Sequence, residues 1–149
     1  LLGKGSLGPQ IKGFIREHGL DEKVVMPGLI EESRMPAYFH ASDLYLSCSL
    51  TDGTSVSLLQ AMACGLPVVV TDLPANREWV QEGRNGQVAR VGEPEEYARA
   101  ILRTMQATSS EKRRIARFNR KIIEERADWD KNILLLLATY NRIEDAHGK

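Results

Sequence analysis

The run "LPVVVT", residues 66–71, constrains the fold more than any other stretch. It is apolar without alternation, so neither face of a strand built from it can sit in water. Strands of this kind belong to parallel sheets covered by helices on both sides. What precedes it agrees. "TSVSLLQAMAC" places Val56, Leu59, Met62 and Ala63 on one face at helical spacing, and Gly65 supplies the stop. Helix, glycine stop and buried strand together make one arm of a crossover unit.

The same alternation runs along most of the chain. "LGPQIKGFIREHGL" predicts a helix with Pro9 in its first turn and Gly19 at its end. "KVVMPG" predicts a short strand closed by Pro27 and Gly28. Residues 33–41 predict a helix with Met35, Tyr38 and Phe39 on its apolar side. "DLYLSCS" and "QVARV" read as strands, "ANREWV" as a short helix, and "EPEEYARAILRTMQ" as a helix whose acidic start suits its dipole. Beyond about residue 106 only helices follow; the last begins near Asp128 and carries Trp129, Ile133, Leu136, Leu137 and Tyr140. The expectation is an α/β fold, a doubly wound parallel sheet over residues 1–107 with C-terminal helices over 108–149. "DLYLSCS" and "PVVVT" should be its central strands, with helices on both faces. Ligands of such sheets bind beyond the carboxyl ends of the strands.

Composition narrows the function by exclusion. The 149 residues carry a formal net charge of zero, so no global field favours nucleic acid. Cys48 and Cys64 are the two cysteines and form no CxxC; a disulfide scaffold or zinc site is not expected, and a reducing, cytoplasmic setting fits. His18, His40 and His147 are scattered, with no metal-ligand spacing. "ILLLLA" is far too short to span a bilayer. The basic run "KRRIARFNRK", with Ile115, Phe118 and Ile122 on one side, reads as a solvated helix face, with peripheral contact to a membrane surface as its alternative. The opening "LLGKGSLG" reads as starting inside an element, so the chain is expected to be a fragment. Such a fragment would bare part of a sheet and tend to self-associate.

Residues 51–60, "TDGTSVSLLQ", hold the best candidate site. Gly53 allows close backbone approach, and Thr54, Ser55 and Val56 are expected to open the helix with amide N–H groups free for a diphosphate. The alternative is that Asp52 or Thr54 simply caps the helix. Asp52 and Gln60, eight residues apart, would be separated by on the order of 12 Å along a helix, about the length of a sugar–diphosphate–ribose. Asp52 would then accept hydrogen bonds from sugar hydroxyls, and Gln60 would meet the ribose unless it is a plain surface residue. "GKGSLG", residues 3–8, matches a dinucleotide fingerprint, but the strand it needs before it is cut and nothing suitable stands about twenty residues on, so it reads as a glycine-rich strand-to-helix turn. Trp79, beside Glu78, reads as core.

In order, "GKGS", "GLDEKVVMPG", "ASDLYLSCS", "DGTSVSLLQAMACGLPVVVTD" and "GRNGQV" resemble the C-terminal lobe of a glycosyltransferase family 4 enzyme with the GT-B fold. The resemblance implies a Rossmann-like nucleotide-sugar-binding lobe and retaining transfer of a hexose from a nucleotide sugar, with no cofactor or obligatory metal. It puts Asp52, Gly53 and Thr54 at the donor sugar, Thr54, Ser55 and Val56 at the diphosphate, Gln60 at the ribose, and Gly28 and Leu29 at the base. The family's donor marker is Glu, seven residues, Glu; here Asp52 and Gln60 stand at those positions, so the second carboxylate is lost. The family's diphosphate-neutralising Arg and Lys and its acceptor-binding N-terminal lobe would precede Leu1, and the fragment alone is expected to be inactive. Two other roles remain open on the same resemblance: a non-catalytic GT-B lobe for interaction or regulation, and a GT-B sugar-nucleotide epimerase.

Overall fold

The structure, a computed structural model, describes residues 1–147, and the side chains to Asp145 and Ala146. It forms two compact units, Leu1–Tyr38 and a larger one beginning at Phe39. The last two residues of the helical tail expected over 108–149 lie outside the described residues.

The first unit is built around α1, Gly8–Glu17, with Pro9 in its first turn. Gly19 N–H bonds to Arg16 C=O at 3.1 Å and Leu20 N–H to Ile15 C=O at 2.9 Å, the paired closing bonds of a Schellman motif. "KVVMPG" does not form the expected strand. Gly28 makes a single parallel bridge to Leu2, the Leu1 amino group donates to Val25 C=O at 2.6 Å, and the Val25 side chain is exposed. Pro27 has no N–H to donate, which stops a ladder from extending past that point. After a short 3₁₀ turn, Glu32–Arg34, comes α2, Met35–His40, with Pro36 in its first turn.

The second unit holds a parallel sheet in the order β1-β2-β3: Tyr45–Ser47, Val68–Thr71 and Gly86–Ala89. Tyr45 registers with Val68, and Val68 with Gly86. β2, the "VVVT" run, is central and wholly buried, as its composition requires. β1 is not central in this sheet: it is an edge strand, like β3, and Leu46 is 44% exposed.

Alternation along β2 sorts the layers. Val68 and Val70 face a core made with Leu58 and Met62 of α3 (Val56–Ala63), Trp79, Val80 and Ile122 of α6 (Ser109–Arg126). Thr71, on the other face, meets Tyr97 of α5 (Pro94–Met105). Helices therefore cover both faces of the sheet, which makes it doubly wound. α3 ends at Cys64, where Gly65 (φ +80°) and Leu66 donate to Met62 and Ala61 carbonyls; only a residue without a Cβ adopts that φ readily. α4, Pro74–Arg77, is the short helix after β2.

The basic run of α6 turns its apolar side inward: Ile122 is in the core and Phe118 packs against it. Ile115 and Phe118 are half-buried on that side. In α7, Trp129–His147, Asp128 accepts from the amides of Asp130 and Lys131 as the expected N-cap. Its Leu134, Leu135 and Tyr140 are more than half exposed. Among the described residues no helix is long and apolar enough to cross a membrane.

Candidate functional site

The site is the loop that leaves the carboxyl end of β1 and enters α3, residues 48–55. Asp52, Gly53 and Thr54 are exposed. α3 starts at Val56, two residues later than Thr54, because Ser55 takes the cap. Its backbone is extended (φ −73°, ψ 109°), and its Oγ accepts from Leu58 N–H at 3.4 Å. Capping by Asp52 or Thr54 is thereby excluded. Of the first helical amides, that of Leu58 is satisfied by the cap, while those of Val56 and Ser57 have no carbonyl one turn back to meet. The amides of Thr54 and Ser55 belong to the loop, not to the helix.

Ser55 is itself held in place. Its Oγ lies 3.2 Å from Ser57 Oγ, which shares a 2.8 Å hydrogen bond with the Tyr45 hydroxyl. Tyr45 is fixed by β1 and packs against the core cluster. At the loop's start, Thr71 is fully buried; its hydroxyl shares a 2.7 Å bond with the Tyr97 hydroxyl and donates to Ser47 C=O at 3.5 Å. Burial pushes the Tyr97 phenol and the Cys48 thiol above their ordinary ranges, so both are neutral at pH 7. Asp72, after β2, forms a two-pronged ion pair with Arg77; that hydrogen bond holds its carboxyl below the usual range.

Gln60 sits one turn beyond Val56 on the same face of α3 and is half-buried. The continuous 12 Å helical span between Asp52 and Gln60 is not realised. Only Val56 to Gln60 is helical, about 6 Å, and residues 52–55 are loop. Gly53 needs no special conformation: its φ is not positive and a Cβ there would meet open space. Gly28 and Leu29 lie in the first unit. Gly28 has φ +85° and its carbonyl accepts from Gly3 N–H at 2.8 Å, while the Leu29 side chain is 70% exposed.

Sequence reasoning missed Tyr45, Ser57, Thr71 and Tyr97. Tyr45 carries the one available signal, a polar-tipped aromatic on the buried side of a strand, which needs a hydroxyl partner. A hollow of about 380 Å³ lies at the opposite, amino end of the strands, by Pro67, Gly86 and Gln87. Glu82, Glu111, Arg103 and Arg114 line it with both signs of charge, so it does not single out a diphosphate. Trp79 is core, as expected, with the Arg126 guanidinium 4.4 Å over its ring. Among the described residues no group of His, Cys, Asp or Glu could hold a metal ion.

Residues 1–107 match the family profile described as Glycosyl transferases group 1. Among curated relatives, the amylovoran biosynthesis glycosyltransferase AmsK of Erwinia amylovora is 30% identical over 112 residues, covering 71% of this chain and 28% of that protein. The putative colanic acid biosynthesis glycosyltransferase WcaL of Escherichia coli is 30% identical over 115 residues, 73% of this chain and 27% of that protein. The chain thus spans less than a third of either relative. Among solved structures, Anabaena HepE in complex with UDP superposes with a TM-score of 0.84 at 26% identity, over 95% of this chain and 40% of that one; HepE has also been solved with UDP-glucose. Sucrose-phosphate synthase of Thermosynechococcus elongatus shares the fold, with a TM-score of 0.88 at 21% identity over 98% of this chain and 39% of that one. These neighbours are GT-B glycosyltransferases.

Proposed function

Because this chain belongs to the Glycosyl transferases group 1 family, we propose that it is the donor-binding half of a retaining glycosyltransferase that moves a hexose from a nucleoside-diphosphate sugar to an acceptor. One observation carries the reading of the site. Ser55 caps α3, so the exposed Asp52 carboxylate is not used by the fold, yet it stands in the loop that leads to the free amides. The Val56 and Ser57 amides, with Thr54 and Ser55 at the loop's end, receive the diphosphate, where the helix dipole favours negative charge. Asp52 accepts hydrogen bonds from the hexose hydroxyls. Gln60 meets the ribose through its amide, and the backbone at Gly28 and Leu29 meets the base.

The reaction needs no metal in this reading, since amides and side-chain cations would stabilise the leaving diphosphate. The cations and the acceptor-binding lobe would come from a polypeptide longer than this chain, which by itself should not turn over. Two free cysteines fit a cytoplasmic enzyme. UDP is the nucleotide to test first, because HepE, a protein of the same fold at 26% identity, has been solved with it. Gln60 supports the second reading, a non-catalytic lobe, because a neutral amide grips ribose hydroxyls about half as strongly as a carboxylate. Conversion of a sugar nucleotide without acceptor would instead mark an epimerase.

The test is titration calorimetry with UDP-glucose and with UDP on the full-length protein that carries this chain. Asp52→Ala should weaken UDP-glucose by about 1.5–3 kcal/mol, one charged hydrogen-bonding group, and leave UDP nearly unchanged. Gln60→Glu should tighten both, because both contain the ribose. Equal losses for the two ligands on removing Asp52 would refute its assignment to the sugar.

A further inference from the structure

Resting on the nucleotide-sugar reading of the loop, we propose that Tyr45 and Tyr97 are positioning residues: their two hydroxyls grip the two ends of the loop at residues 48–55 from opposite faces of the sheet, and so hold the Asp52 carboxylate and the α3 amides in one presentation. Within the loop, Ser49 Oγ shares a 3.1 Å hydrogen bond with Ser47 Oγ beside β1, and beyond it the loop is open. Residues 50–54 are exposed, and its interior carries no ion pair. Each end, in contrast, is tied to a phenol whose ring is anchored elsewhere.

At the far end the tie runs Tyr45 hydroxyl to Ser57 Oγ at 2.8 Å, Ser57 Oγ to Ser55 Oγ at 3.2 Å, and Ser55 Oγ to the Leu58 amide. The consequence is directional. A Ser55 oxygen committed to Leu58 leaves the Val56 and Ser57 amides as the ones that a ligand can use. Without the Tyr45 hydroxyl, Ser57 Oγ is free to compete for those amides or to draw Ser55 off its cap. At the near end the tie runs Tyr97 hydroxyl to Thr71 Oγ1 at 2.7 Å and on to Ser47 C=O, the last residue of β1. Tyr97 stands on α5 and Tyr45 on β1 facing α3, so the grips act across the sheet rather than along one element. Neither phenol touches the ligand in this account; both act through the loop.

The experiment compares wild type, Tyr45→Phe, Tyr97→Phe, Ser57→Ala and the double variant Tyr45→Phe/Ser57→Ala in the full-length protein. Three quantities are read: amide hydrogen exchange over residues 47–58 without ligand, Kd for UDP, and the midpoint of urea unfolding. Each tyrosine variant should speed exchange at its own end of the loop, at residues 55–58 for Tyr45→Phe and at 47–49 for Tyr97→Phe. Each should weaken UDP by about three- to tenfold, the worth of one hydrogen bond, with little change in the unfolding midpoint. The double variant should bind UDP no worse than Tyr45→Phe alone, because both remove the same tie. Unchanged exchange, or faster exchange with unchanged UDP affinity, would overturn the proposal. A wild type that binds neither UDP nor UDP-glucose would sink the nucleotide-sugar reading instead, and the exchange arm would still decide whether the two phenols hold the loop.

Discussion

Two connections of the same sheet are built in opposite ways. The turn at residues 81–86, which enters β3, is locked by buried amides. Asn85 and Asn119 are both fully buried. Asn85 Nδ2 donates to Trp79 C=O at 2.9 Å and to Asn119 Oδ1 at 2.8 Å, its Oδ1 accepts from Gln81 N–H at 2.7 Å, and Asn119 Nδ2 donates to Leu66 C=O at 2.7 Å. The loop at residues 48–55, which leaves β1, is held only at its ends and exposed between them. A buried amide without partners is costly, so a satisfied amide pair admits one arrangement and no other. An exposed loop admits several. The difference puts a rigid, buried fastening at the amino ends of the strands and an open loop, the proposed donor site, at the carboxyl end of β1.

Breaking the lock should have the largest effect. Asn119→Leu keeps the volume but removes every partner that the side chain supplies. It leaves Leu66 C=O facing hydrocarbon, takes the 3.4 Å donor from Asn85 C=O, and leaves Asn85 Nδ2 with one acceptor instead of two. With three buried polar groups affected, one of them only weakly bonded, at about 1–3 kcal/mol each, a loss near 4 kcal/mol is expected by urea denaturation. The effect should reach α6, β3 and the strand entry at Leu66 together. A loss under 1 kcal/mol would show that the amide pair is not what fastens α6 to the sheet, and the contrast between the two connections would fail.

Gly86 tests the same region sterically. A Cβ there would lie 2.5 Å from Val68 Cγ2 and 2.6 Å from Val68 C=O, with Val80 Cγ1 at 3.0 Å. Val68 can turn its side chain, but its carbonyl belongs to the central strand and cannot withdraw. Gly86→Ala should therefore cost about 2–3 kcal/mol, the upper range for overpacking. Gly53→Ala in the open loop, where a Cβ meets nothing within 4 Å, should shift the unfolding midpoint by no more than about 0.5 kcal/mol. Equal costs at the two glycines would erase the distinction.

Much of this was legible in the sequence, and the limits have physical causes. The helix, stop and strand at residues 56–71 could be read because burial on one helix face and on both strand faces leaves different periods. The pattern opens α3 at Thr54 because Thr54 and Ser55 are both cap formers; in the structure Ser55 takes the cap, with its Oγ 3.2 Å from the Ser57 Oγ that Tyr45 meets. "KVVMPG" reads as a strand because Val24 and Val25 favour one; that preference does not build a ladder, and the segment has one bridge at Gly28 and one bond from the Leu1 amino group to Val25 C=O. The Asn85–Asn119 lock was invisible. Asparagine usually belongs to surfaces and turns, and 34 residues separate the two. Asp52 was legible as a candidate, but not the reason that it is free, since that depends on which neighbour caps.

Acid should separate the two regions most gently. The lock contains no titratable group, whereas several exposed tethers elsewhere in the unit do. Asp72 is held below its ordinary value of 3.8 by its hydrogen bond to Arg77. Glu96 is held below 4.5 by its bonds to the side chain and amide of Arg90. Glu111 is held below 4.5 by the Thr108 hydroxyl and amide in the capping box that opens α6. In each case the folded value is the lower one, so between the two values the unfolded chain binds more protons and stability rises with pH. The contribution is therefore complete above about pH 4.5 and declines as pH falls through the depressed folded values. All of these side chains are solvent-exposed enough that salt and water weaken the effect. A shallow fall in thermal midpoint is expected below pH 4.5, together with faster amide exchange at residues 72–77 and 108–111. The amides around Asn85 and Asn119 should stay protected until the whole unit unfolds. A midpoint that rises on acidification would contradict the sign, and early loss of protection at Asn119 would mean that the buried lock depends on the exposed tethers after all.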